Sequence, residues 1–136
     1  MTDTNQADRP ADRYQQGIEV MQRLWGEPKT TELRALWQQA DPDMERYLTA
    51  FAMGDIWARP TLDLKTRSLI CLAAAVALER EGQIRLHTHG ALQSGATPAE
   101  VTETILQLMI YASFPAAWQA MLVVRQVITE QFGSQV

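Results

Sequence analysis

His87 is the side chain best suited to acid–base chemistry in this chain, which has two histidines and one cysteine. An imidazole changes charge near neutral pH, so it can hold or pass a proton. On a helix, His87 shares a face with Ile84 and Ala91 and points inward. Two readings stay open: a hydrogen-bonded core histidine, or an acid or hydrogen-bond donor in a half-buried pocket. His89, near Arg85 and Leu92, lies on another side. Cys71 sits inside the apolar run Leu69–Leu78 and reads as a packing residue with a protonated thiol. One cysteine cannot run a two-thiol redox cycle by itself.

Two further segments carry chemistry-bearing residues. In Asp55-Ile56-Trp57-Ala58-Arg59-Pro60, Asp55 continues an apolar stripe and needs a partner if buried. Trp57 and Arg59 sit at a helix exit and could line a pocket mouth; a core tryptophan followed by a solvated loop is the alternative. In Lys65-Thr66-Arg67-Ser68, cations stand in a first helical turn, where they oppose the helix dipole. Either a carboxylate such as Asp63 or Asp55 balances them, or Arg67 and the helix N–H groups receive an anion.

The elements that hold these residues are helical. Asp41-Pro42 is a helix start, with Asp as cap and Pro at the first position. Met44, Tyr47, Leu48 and Phe51 follow it as one stripe, and Arg59-Pro60 closes the helix near Trp57. Asp63 caps a helix predicted from Leu64 to about Arg80, apolar on every side over Leu69–Leu78. Gly82 marks a break. A helix over 83–94 follows, closed by Gly95. Thr97-Pro98-Ala99-Glu100 is a capping box, opening a helix to Ala112. Pro115 starts the last helix. Before these, a helix is predicted over Arg13–Trp25 and a short one near Glu32–Gln39. No credible strand and no dividing linker occur. The expectation is an all-α, single-domain bundle of five to six helices over 12–134, with residues 1–11 disordered or arm-like. Two helices apolar all round point to surface shared between subunits.

Composition narrows the function classes. The chain has 136 residues, 46% apolar and 21% charged, enough to bury a core without disulfides or a structural metal. A net charge of −4 argues against nucleic acid or an anionic membrane as partner, but leaves room for a small anionic ligand. The polar N-terminus lacks the apolar core of a signal peptide, and the run Leu69–Leu78 is too short to span a bilayer. A cytoplasmic location is expected.

Taken together, these segments resemble the carboxymuconolactone decarboxylase family of the alkyl hydroperoxidase-like superfamily. The resemblance rests on Gly54-Asp55-Ile56-Trp57-Ala58-Arg59-Pro60, Leu62-Asp63, Thr66-Arg67-Ser68-Leu69, Arg80-Glu81, Arg85-Leu86-His87 and Gly95-Ala96-Thr97-Pro98-Ala99-Glu100. It runs from Tyr14 onward. Met53, Thr61, Gly82, Gln83 and His89 depart from the family's usual residues, which bears on substrate more than on fold. The superfamily's peroxidase branch carries Cys-x-x-Cys-x-x-x-His. With its histidine on His87, the cysteines fall at Arg80 and Gln83 and the relay glutamate at Ser68. Only the histidine is retained, as in the decarboxylase branch.

The resemblance implies a carboxy-lyase without metal or organic cofactor. It would act on a carboxylated butenolide lactone to give an enol-lactone in aromatic catabolism. His87 would be catalytic, with Asp55, Trp57, Arg59, Arg67, Ser68 and Arg85 binding the small anionic substrate. A homo-oligomer, trimer or hexamer, is implied as well. A related lactone- or acid-processing enzyme and a non-catalytic oligomeric binding protein are the alternatives; a thiol peroxidase is disfavoured.

Overall fold

Capping residues set most of the helix boundaries. In the computed structural model, which describes residues 10–133, Asp41 accepts from the backbone N–H groups of Asp43 and Met44. Asp63 accepts from Thr66 N, and Thr97 and Glu100 cap each other reciprocally. The described residues form seven α-helices and one π-helical segment, and hold no strand. These are α1 (Pro10–Trp25), α2 (Glu27–Ala40), α3 (Pro42–Arg46), the π segment (Tyr47–Trp57), α4 (Leu64–Ala77), α5 (Glu81–Gln93), α6 (Pro98–Tyr111) and α7 (Phe114–Phe132). Of the arm expected over residues 1–11, residues 1–9 lie outside the described residues, and α1 already begins at Pro10.

Two compact units divide the chain, the first ending at Leu62 and the second beginning at Asp63. In the first, α1 packs against the π segment and α2, and α2 against α3. Its apolar centre is Val20, Met21 and Leu24 from α1 with Met53 from the π segment. In the second, α4 packs on α5 and α6, and α7 packs on α5 and α6. Its core includes Leu72, Val76, Ile84, Val101, Ile105, Val124 and Ile128.

Three expectations change. The stripe Met44–Tyr47–Phe51 faces outward, with Tyr47 and Phe51 each 59% exposed. Glu45, Thr49, Met53 and Gly54 are buried instead. The reason is winding: from Tyr47 to Trp57 the helix is π, so α-spacing no longer reports which side chains share a face. The break between α4 and α5 falls at Leu78–Arg80 rather than at Gly82, which lies inside α5. Glu79 makes that turn with a left-handed φ of 55°. The short helix near Glu32 is a full element, opened at Gly26 with a proline in its first turn.

Several large apolar side chains of the second unit are exposed on the single chain, among them Ile110 (78%), Tyr111 (80%) and Trp118 (62%). No helix of the described residues is long and apolar enough to cross a membrane.

Candidate active site

His87 stands mid-way along α5, between Ile84 and Ala91, both buried. The ring itself is half-buried. Burial disfavours the imidazolium and lowers its pKa from 6.5 to about 4. At neutral pH His87 is therefore a neutral imidazole, able to donate a hydrogen bond without carrying charge.

Helix α4, which packs on α5, supplies Arg67 and Ser68. Ser68 is fully buried, and its hydroxyl finds no hydrogen-bond partner among the described residues. Other helical hydroxyls behave differently. Thr30, Thr88 and Thr104 each donate to the carbonyl four residues back, at 2.8, 2.7 and 2.9 Å. One turn past Arg67, the Cys71 thiol is half-buried. Burial pushes its pKa up, only partly opposed by the charge of Arg67, so the thiol is protonated.

Arg85 lies one turn before His89 on α5 and is already engaged. It donates to Gln126 Oε1 at 3.2 Å and Glu130 Oε1 at 2.8 Å, tying α5 to α7. Lys65 pairs with Glu100 at 3.2 Å, and its charge also acts on Asp63. Asp63 serves as the cap of α4, and the Thr66 hydrogen bonds hold its carboxyl below the usual range.

Asp55, Trp57 and Arg59 belong to the first unit. Asp55 has the partner its position demanded: Arg13 Nη1 on α1 stands 3.1 Å from its Oδ2. Trp57 is half-buried at the end of the π segment, and Arg59 is exposed in the loop that follows. The structure thus places four of the expected residues (Arg67, Ser68, Arg85, His87) on the packed pair α4 and α5, and three on the π segment and its exit. Among the described residues, no group of three or more His, Cys, Asp or Glu side chains is arranged to hold a metal ion.

A second polar cluster, not foreseen from the sequence, lies in the first unit. Glu45, only 5% exposed, accepts at Oε1 from Tyr14 Oη (2.7 Å), Arg34 Nε (2.9 Å) and Thr49 Oγ1 (3.1 Å). Arg34 also donates to Tyr14 and covers its ring. Burial raises the Tyr14 pKa, as does its hydrogen bond to Glu45. No short-range spacing announces this cluster, because Tyr14 and Arg34 lie thirty-one and eleven residues from Glu45. Cavities are also present among the described residues. One, of about 560 Å³, is wholly apolar and lies between α6 and α7 around Met109, Phe114 and Trp118; another, of about 230 Å³, opens beside Arg34 and Glu45. Neither is lined by a residue expected at the site.

These features define a class first: an all-helical protein with a half-buried, neutral histidine on α5, and with Arg80 and Gln83 seven and four residues before it. Residues 42–126 match the carboxymuconolactone decarboxylase family. The chain is 34% identical over 118 residues to the 4-carboxymuconolactone decarboxylase of Acinetobacter baylyi, covering 87% of this chain and 88% of that protein. It is 32% identical over 118 residues to a nitrosuccinic acid decarboxylase of Metarhizium robertsii, covering 86% and 82% respectively. An uncharacterized 15.0 kDa protein of Paracoccus denitrificans is 29% identical over 102 residues, 74% of this chain and 75% of that one. The chain belongs to the carboxymuconolactone decarboxylase family.

Proposed function

We propose that this protein is a carboxy-lyase that removes CO2 from a carboxylated butenolide lactone of the 4-carboxymuconolactone type and yields an enol-lactone. The carboxy-lyase class is supported by the family and by two relatives named as decarboxylases. In the reaction, the bond between the carboxylate carbon and the ring breaks and CO2 leaves. The electron pair stays behind as a dienolate, delocalised onto the lactone carbonyl oxygen. A proton then returns to carbon. The protein must stabilise that oxyanion with a placed donor and keep water from competing.

The observation that carries this reading is the inward, half-buried placement of His87 on α5 between Ile84 and Ala91, where burial disfavours the imidazolium. A neutral ring is a poor proton source but a good hydrogen-bond donor, so His87 is assigned to the developing oxyanion rather than to protonating carbon. Arg67, on helix α4 packed against α5, is assigned to the second carboxylate, with Arg85 and its α7 partners beside it on α5 as a further cation. Ser68 offers a buried hydroxyl to the same substrate. Asp55, Trp57 and Arg59 are assigned substrate contacts, each tested by its own effect on KM. The protein works without metal or organic cofactor, as a homo-oligomer of three or six chains that covers the exposed apolar residues of α6 and α7.

A second reading follows from the nitrosuccinic acid relative. Loss of CO2 from a nitro-bearing carbon leaves a nitronate, whose charge also sits on oxygen. The same donor would serve, so substrate choice falls to the carboxylate-holding and apolar residues.

The test is CO2 release from both substrate types by the purified protein. His87→Gln should lower kcat by about a hundredfold, the scale of one lost oxyanion donor. Near-normal turnover by that variant would remove the histidine role.

A further inference from the structure

We infer that helix α1 sets the geometry of the Gly54–Trp57 segment, with Arg13 as a positioning residue that acts through Asp55. A π-helix is a poorly packed winding and long runs of it are rare, so eleven π-helical residues need outside support. Helix α1 supplies it. A Cβ built on Gly17 would stand 1.8 Å from Thr49 O and 3.1 Å from Gly54 N. Those two atoms lie five residues apart, the spacing that a π turn joins. The bare backbone of α1 at Gly17 therefore seats directly on one π turn. One turn earlier the roles reverse: a Cβ on Gly54 would meet Arg13 O at 2.1 Å.

The side chain of Arg13 extends this grip by one residue. Its Nη1 pairs with Asp55 Oδ2 at 3.1 Å, with the two side chains 37% and 26% exposed. Backbone contact at Gly54 and ion pairing at Asp55 fix the rotation of the helix just before Trp57. Rewinding to α would carry Asp55 and Trp57 to another side of the axis. The family match covers residues 42–126, so it includes Asp55 and Trp57 but not Arg13 and Gly17.

The inference rests on the assignment of Asp55 and Trp57 as substrate contacts. Arg13→Ala and Arg13→Lys test it, read by steady-state kinetics of CO2 release and by amide hydrogen exchange over residues 50–57. Arg13→Ala should raise KM about tenfold while kcat stays within about threefold, with Arg13→Lys between it and wild type. Amides 50–57 should exchange about tenfold faster, with α4 to α7 unchanged. Wild-type KM together with unchanged exchange in Arg13→Ala would overturn the inference. If the wild-type protein releases no CO2, the fault lies with the proposed function. Exchange then decides: faster exchange confined to 50–57 upholds the role of Arg13, and unchanged exchange rejects it.

Discussion

The hydroxyl of Tyr14 donates to Glu45 Oε1 across 2.7 Å, tying α1 to α3 over thirty-one residues of chain. Arg34 on α2 reaches the same oxygen, so one buried carboxylate joins three helices of the first unit. A buried carboxylate is costly unless donors replace its water, and here three do.

Removing one donor should therefore cost more than a surface ion pair would. Arg34→Ala is expected to destabilise the protein by about 3 kcal/mol, because it strands a charge that is almost fully buried. Arg34→Ala combined with Glu45→Gln should cost less than the sum of the two single changes, since the neutral amide no longer needs the cation. Urea unfolding of the two single variants and the double variant measures this coupling; strict additivity would show that the cluster does not act as a unit.

Gly17→Ala should destabilise by at least about 2 kcal/mol, because the added methyl meets a backbone carbonyl that no side-chain rotation can relieve. Gly54→Ala should act alike from the other side of the same crossing. Gly82→Ala is the control. Nothing lies within 4 Å of a Cβ at Gly82, which is inside α5, so alanine there should stabilise by about 0.5–1 kcal/mol. Thermal or urea unfolding of the three variants gives the order.

Cys71→Ser should leave CO2 release intact. The thiol is half-buried and kept protonated by burial, so it has no thiolate to offer. The change places a hydroxyl among apolar neighbours and should cost stability by about 1 kcal/mol. Loss of turnover in a folded Cys71→Ser protein would instead revive a thiol mechanism.

Most helix boundaries were legible because they are local. Asp41, Asp63, Thr97 and Glu100 cap within three residues of themselves, and that spacing is visible in the chain. The inward face of His87 was legible too, since α5 keeps regular α winding between Ile84 and Ala91. The π segment was not legible: spacing analysis assumes one angle per residue, and the winding changes at Tyr47. Partners far apart in sequence were equally hidden. Asp55 needed a partner if buried, but Arg13 lies forty-two residues away on a helix that nothing local links to it. Glu45 falls inside the helix predicted from Asp41 to Trp57, and its donors Tyr14 and Arg34 come from thirty-one and eleven residues away.

Titration of His87 gives the sharpest test of its state. Its pKa is 6.5 when solvated and about 4 in the fold. Between those values the unfolded chain takes up a proton that the folded protein refuses, so stability falls as pH drops from about 6.5 to about 4. The full loss is roughly 3 kcal/mol. Carboxylates also titrate in this window, so the readable quantity is the difference between wild type and His87→Gln. That difference should be flat above about pH 6.5 and should move in favour of His87→Gln as pH falls toward 4. Activity carries a matching signature. If the neutral ring donates to the oxyanion, kcat/KM should hold steady as pH rises through 6.5, because His87 is already neutral there. A loss of kcat/KM centred near or above 6.5 and absent in His87→Gln would mean that the imidazolium is the working form, and the assignment would pass from oxyanion donor to proton donor.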